Sequence, residues 1–127
     1  MVSPKKVSSL RLHKWKDVIS EAAQFHPPWI QFIGGEPLLC GKAFLQELLE
    51  HARSVGIDGI EVFTNGYLLD REWVDILSAH KASIAFSIYS KQPETHDKIT
   101  GIPGSHKKLL HHIDMLIRND IQQLFFA

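Results

Sequence analysis

Glu36 sits in a setting built for chemistry. In "WIQFIGGEPLL", Trp29 to Leu39, an apolar stretch runs into two glycines, then a carboxylate, then a proline. Gly34 and Gly35 open backbone conformations closed to other residues, and Pro37 stiffens the exit. A carboxylate at this point adds little to turning and must be solvated or paired. Carbonyls freed by the glycines, beside a fixed carboxylate, make an acceptor-rich pocket suited to a positively charged ammonium group. Two more polar groups follow apolar runs in the same way: Thr64-Asn65-Gly66 and Ser87-Ile88-Tyr89-Ser90. Taken singly, each is ordinary turn chemistry.

The remaining reactive residues carry less. His111 and His112 invite a metal reading, but neighbours on a helix point about 100° apart, so one is expected in solvent and the other partly buried. Ser87, His96 and Asp97 could be drawn as a nucleophilic triad, yet no strained G-x-S-x-G elbow supports it. His96 is better read as a cap or tether for the loop before the last helix, where Gly101, Pro103 and Gly104 set the turn. Cys40 reads as an ordinary thiol near the site, and Lys107 and Lys108 as a solvated helix face.

The elements that must position these groups follow from apolar spacing. From about Leu10 to Phe25, the residues Leu12, Trp15, Val18, Ile19, Ala22 and Ala23 form a helical stripe closed by Pro27 and Pro28. Trp29–Ile33 reads as a strand. Phe44, Leu45, Leu48, Leu49, Ala52 and Val55 repeat the helical spacing, with Gly56 as the stop. Ile60–Phe63 is the next strand. A short helix with Trp73, Ile76 and Leu77 on its face follows Asp70, whose side chain can cap it. Ser83–Ile88 is the third strand. Gly104-Ser105 opens a last helix with Leu109, Leu110, Ile113, Leu116 and Ile117 on one side, and "QQLFFA" starts a fourth strand.

Strands joined through helices are most simply parallel, which makes the chain α/β. A doubly wound sheet and an arc of a (β/α) barrel both fit. The missing G-x-G-x-x-G and G-x-x-x-x-G-K fingerprints weigh against the former. In parallel α/β proteins the carboxyl ends of the strands share the face that carries the site. The three polar groups therefore converge on one surface.

Composition sets the bounds. The 127 residues, 44% hydrophobic and 9% aromatic, suffice for one modest core. Fourteen basic residues balance fourteen acidic ones, so no overall field draws the chain to nucleic acid or an anionic membrane. The single cysteine excludes an internal disulfide, and it excludes an all-cysteine metal or iron-sulfur site made by these residues alone. No signal-like or membrane-spanning run is present, so a soluble, cytoplasmic protein is expected.

The segments "FIGGEPLL", "VFTNGYLL" and "SIYSKQPETHDKITGIPGS", in this order, resemble the radical S-adenosylmethionine superfamily, near the SPASM-type branch that matures peptides. The resemblance covers nearly the whole chain. It implies a partial (β/α) TIM-like barrel, here an arc of about four parallel strands and four helices. It also implies S-adenosylmethionine and a [4Fe-4S] cluster as cofactors, and a 5′-deoxyadenosyl radical that acts on a substrate such as a peptide. Carried over by motif, Gly34, Gly35 and Glu36 would bind the methionine ammonium group, with Glu36 as acceptor and a glycine carbonyl beside it, while Pro37 of the cofactor-binding turn fixes the exit of the chain. Ser87 approaches the ribose, and Asn65 lines the same mouth.

The departures matter equally. The family's C-x3-C-x2-C loop, whose thiolates hold the cluster, is absent from these residues. No first strand fits ahead of the first helix, and the chain ends in what corresponds to the fifth strand. Ser-Ile-Tyr-Ser stands where many relatives have Ser-Leu-Asp-Gly, and Thr100 where some carry arginine. The expectation is a single incomplete domain over residues 1–127, inactive alone, associating through exposed sheet edges at Trp29–Ile33 and Leu124–Phe126. A non-catalytic binding or scaffold module of the same fold is the alternative.

Overall fold

The computed structural model describes residues 11–118 and 124–126. Helix α1 (Leu12–Ala23) leads into strand β1 (Trp29–Phe32), and a 3-10 turn (Pro37–Cys40) precedes α2 (Lys42–Ser54). Then come β2 (Gly59–Thr64), α3 (Arg71–Ala79), β3 (Ser83–Phe86), α4 (Pro93–Thr100), α5 (Ser105–Arg118) and β4 (Leu124–Phe126). All three strand pairings are parallel, in the order β1-β2-β3-β4. Leu10, where the first predicted helix begins, lies outside the described residues, as do Gln122, Gln123 and Ala127 of the predicted fourth strand. Among the described residues no helix is long and apolar enough to cross a membrane.

One core holds the sheet to its helices. Ile60, Val62, Ile84 and Phe86 alternate along β2 and β3 and are buried against Ile19 of α1, Leu45, Leu48 and Leu49 of α2, Trp73 and Leu77 of α3, and Leu109 and Leu116 of α5. Each such side chain contributes about 1.5–3 kcal/mol when fully buried. Because α1, α2, α3 and α5 share one cluster on one face of the sheet, the helices wrap the strands from a single side. A doubly wound sheet would have helices on both faces; one-sided wrapping is the geometry of a barrel arc. The opposite register of the strands carries the half-buried Gln31 and Glu61, whose amide and carboxylate are hydrogen-bonded, with half-buried Phe63 and Ser83 and the buried Ala85.

Local chemistry sets the element ends. Asp70 caps α3 as expected, its Oδ1 accepting from the Trp73 N–H at 2.8 Å. Gly56 follows α2 with φ 90°, and the Ile57 N–H returns to the Ala52 carbonyl. Arg53, which periodicity did not single out, donates to carbonyls of Ile57, Asp58, His80 and Lys81. It thereby ties the ends of α2 and α3 to the entry of β2.

Four details differ from the sequence reading, the first being that Leu110 and Ile117 of α5 are exposed, off the buried stripe of Leu109, Ile113 and Leu116. Val18 is half exposed, off the buried stripe of α1. β3 ends at Phe86, two residues before the expected Ile88. Pro93–Thr100, read as part of a loop, is a fifth helix. Its sequence PETHDKIT has no apolar stripe, and it is held by polar bonds: Asp97 accepts from the Gly104 N–H at 2.8 Å, the Ser105 hydroxyl at 3.0 Å and the His106 N–H at 2.8 Å. The cap of α5 is therefore Asp97. His96 acts as a tether, its Nδ1 accepting from the Tyr89 N–H at 3.3 Å.

Candidate functional site

The site forms where β1 and β2 end side by side. Their register pairs Phe32 with Val62, so the turn after β1 meets the turn after β2. Gly34 and Gly35 take φ values of 97° and 54°, turning the chain so that Glu36 lies over the end of β2. Pro37 then starts the 3-10 turn, for which Glu36 is the N-cap.

The Glu36 carboxylate is buried at 6% exposure and held by three donors. Oε2 accepts from the Leu38 N–H at 2.8 Å. Oε1 accepts from the Thr64 hydroxyl and from the Asn65 N–H, both at 2.7 Å. An ionised carboxylate offers about four acceptor positions, so one remains for a further donor.

The second turn is equally ordered. The Thr64 hydroxyl donates to Glu36 and accepts from the Gly66 N–H at 3.1 Å. Asn65 Oδ1 accepts from the Tyr67 N–H at 2.9 Å, so its side chain closes its own turn. From α5, His112 Nδ1 lies 2.6 Å from the Gly66 carbonyl, and Lys108 Nζ stands 4.0 Å over the Tyr67 ring. His112 is buried and His111 exposed, the division expected of adjacent histidines on a helix. Burial holds the His112 imidazole below the usual histidine range, with the nearby Lys108 charge acting in the same sense.

Glu36 is thus hydrogen-bonded to the Asn65 backbone, and Gly34, Gly35 and Pro37 flank it in the chain. Ser87, just past β3, is half-buried and makes no hydrogen bond to Glu36 or Asn65. Thr100, at the position where some relatives carry arginine, shares a 2.7 Å hydrogen bond with Ser105. Ser87, His96 and Asp97 do not line up as a triad, since Asp97 serves α5 and His96 serves Tyr89. Among the described residues no three His, Cys, Asp or Glu side chains gather as a metal-holding group.

Beside the turn, on the open edge of β1, lies an apolar cleft of about 250 Å³ lined by Trp15, Phe32, Ile33, Gly34, Pro37, Cys40 and Phe44 among others. Burial pushes the Cys40 thiol up to about 11, and the Glu36 charge adds to the shift. One protonated thiol does not meet the needs of a cluster, which takes several thiolates. The Gly34–Glu36 turn does fit an ammonium-bearing ligand, having exposed glycine backbone and a carboxylate with acceptor capacity left. The sequence reading named Thr64 in a turn motif and His112 in a histidine pair, but gave neither a role beside Glu36. A hydroxyl directly before Asn-Gly at a strand end was the available signal for Thr64, and no local signal marks His112.

A one-sided parallel β/α arc with its polar groups at the carboxyl ends of the strands defines the class: part of a (β/α) barrel of the kind that binds ligands at its strand mouths. Comparison with known proteins narrows it. The chain is 33% identical over 104 residues to a PqqA peptide cyclase of Rhodopseudomonas palustris, covering 81% of this chain and 27% of that protein. It is 33% identical over 106 residues to an AdoMet-dependent heme synthase of Methanosarcina barkeri, covering 83% of this chain and 30% of that one. In fold it matches anSMEcpe with bound AdoMet at TM-score 0.78 and 20% identity, covering 92% of this chain and 34% of the other. No protein-family model matches. The chain belongs to the radical S-adenosylmethionine superfamily, and it spans about a third or less of the length of the curated relatives it matches.

Proposed function

We propose that these 127 residues form one incomplete domain, the cofactor-binding arc of a radical S-adenosylmethionine enzyme. Its Gly34–Pro37 turn, with Asn65 and Ser87, receives S-adenosylmethionine, the ammonium group meeting the glycine carbonyls and the Glu36 carboxylate. The observation that carries this reading is the buried Glu36, fixed by the second strand's turn with one acceptor position to spare. Relatives named as a peptide cyclase and an anSMEcpe complex with AdoMet and Cp18Cys peptide support a peptide as substrate. The cofactor, once held at a [4Fe-4S] cluster, supplies a 5′-deoxyadenosyl radical. The cluster thiolates come from cysteines outside these residues, and the chain alone is inactive. The protein works in the cytoplasm, and its edge strands β1 and β4 mediate self-association, with Trp29 on β1 and Ile33 just past its end both exposed.

Titration of the chain with S-adenosylmethionine tests the site. A charge-assisted bond is worth about 1.5–3 kcal/mol, so Glu36→Gln weakens binding about ten- to a hundred-fold. The carboxylate is buried among donors, so the variant also loses stability and its affinity is read per folded molecule. Equal affinity in both proteins contradicts the reading. The single cysteine favours a second reading, a non-catalytic binding or scaffold module with the same mouth. A C-x3-C-x2-C loop encoded upstream in the same frame decides for the enzyme. Sedimentation showing only monomer at tens of micromolar counts against association through the edges.

A further inference from the structure

We propose that Thr64 and His112, both buried, are positioning residues that aim the Glu36 carboxylate; the proposal rests on the cofactor reading given above. The two belong to one hydrogen-bond chain. His112 Nδ1 meets the Gly66 carbonyl at 2.6 Å, the Gly66 N–H donates to the Thr64 hydroxyl at 3.1 Å, and that hydroxyl donates to Glu36 Oε1 at 2.7 Å.

The sense of every link is fixed by chemistry. A carbonyl only accepts, so the proton is on His112 Nδ1. An ionised carboxylate only accepts, so the single hydroxyl proton of Thr64 points at Glu36 and its lone pair is free for Gly66. The side chains of Thr64, His112 and Glu36 are all buried. In such surroundings the two bonds of the Thr64 hydroxyl polarise and strengthen each other, while the His112 bond, on the next peptide group, acts by holding Gly66 in place. Gly66 thereby joins α5 to the mouth, through its N–H on one peptide group and its carbonyl on the next.

Glu36 needs such support. It follows two glycines with positive φ, past the last ladder pair of β1, where no regular backbone pairing sets its direction. Apart from Leu38, every donor that holds its carboxylate comes from the Thr64–Asn65 corner. Displace that corner and the remaining acceptor position of Glu36 moves with it. The Gly66 peptide in turn is anchored by α5, through His112 and through the Leu109 side chain beneath it.

The test pairs isosteric deletions with conservative rescues. Thr64→Val removes the hydroxyl at nearly constant shape, and Thr64→Ser restores it. His112→Leu removes the donor, and His112→Asn returns one near the place of Nδ1. Amide hydrogen exchange at Leu38 and Asn65 reads the two backbone bonds to Glu36, and titration with S-adenosylmethionine reads its aim. In Thr64→Val both amides exchange about tenfold faster than the change in global stability explains, and affinity falls by about tenfold. His112→Leu shows the same pattern in smaller measure, while Thr64→Ser and His112→Asn stay near the parent. Unchanged exchange in Thr64→Val overturns the proposal. Faster exchange with undiminished affinity overturns the positioning role and leaves Thr64 a packing residue. Unchanged exchange in His112→Leu removes His112 from the chain. If the parent protein fails to bind S-adenosylmethionine, the cofactor reading fails, and the exchange data still decide for or against the hydrogen-bond chain.

Discussion

Gly66→Ala puts the packing of the mouth to a quantitative test. Gly66 has φ 77°, and a Cβ there would stand 2.6 Å from Leu109 Cδ1 and 2.9 Å from the Phe86 ring. Neither neighbour can yield cheaply, because Leu109 and Phe86 are fully buried. Nor can the glycine move away: its N–H is held by Thr64 and its carbonyl by His112. A left-handed conformation costs an L-residue about 1–2 kcal/mol. Overpacking a filled core adds about 1–3 kcal/mol. The sum is about 2–5 kcal/mol, a large share of the roughly 5–15 kcal/mol that stabilises an ordinary domain. Gly101 supplies the control, since it has φ 73° but a Cβ there meets nothing within 4 Å. Gly101→Ala should therefore cost only the conformational part, about 1–2 kcal/mol. Urea unfolding followed by tryptophan fluorescence, which includes the buried Trp73, measures both variants against the parent. Equal destabilisation by the two substitutions would refute the claim that Gly66 is pinned against α5.

Other expectations are quickly stated. Burial holds His112 and His96 below the usual histidine range, with His106 adding to the effect at His96. The unfolded chain then takes up protons that the folded one refuses, so this stability is present above about pH 6.5 and is lost as pH falls below it. Urea midpoints that do not decline from pH 7.5 to 5.5 would contradict both assignments. With its thiol pushed up to about 11 and half-buried, Cys40 should react with iodoacetamide at pH 7.5 far more slowly in the folded chain than in urea. Having one thiol, these 127 residues should also yield no stoichiometric [4Fe-4S] cluster on treatment with iron and sulfide. Asp97→Ala should speed amide exchange at His106 and lower Tm, and Asp97→Asn should recover part of the loss.

The legible part of the fold was the part written in local apolar spacing. Leu45, Leu48, Leu49 and Ala52 recur at helical intervals, and all are buried on α2. Ile60 and Val62 alternate, and both face the helices from β2. Helix α4 escaped because Ile99, the apolar residue in PETHDKIT, is exposed and marks no buried face. Its punctuation was nevertheless present, with Pro93 in the first turn and Gly101 in the left-handed conformation just past the end. At the site, the turn chemistry of Gly34, Gly35 and Pro37 was readable, and so was the meeting of the turns after β1 and β2. The partners of Glu36 were not. Thr64 is separated from it by 28 residues, and the two meet only because β1 and β2 pair in a register that no local pattern encodes.

That register also explains why the mouth is ready before any ligand arrives. Two turns that would each wander alone become one object once Glu36 accepts from Thr64 and Asn65, and α5 clamps the second turn through His112. The cost of ordering these groups is met during folding, so a ligand binding there spends little on immobilising them. Such readiness would serve an enzyme and a binding module equally, because it concerns only the geometry of the mouth. Chemistry demands something more, several thiolates at one cluster, and this chain offers Cys40 with its proton firmly held. The two readings therefore divide on the source of the thiolates. If a radical is made here, the arc contributes the aim of Glu36, and the thiolates of the cluster have to be supplied by residues other than these.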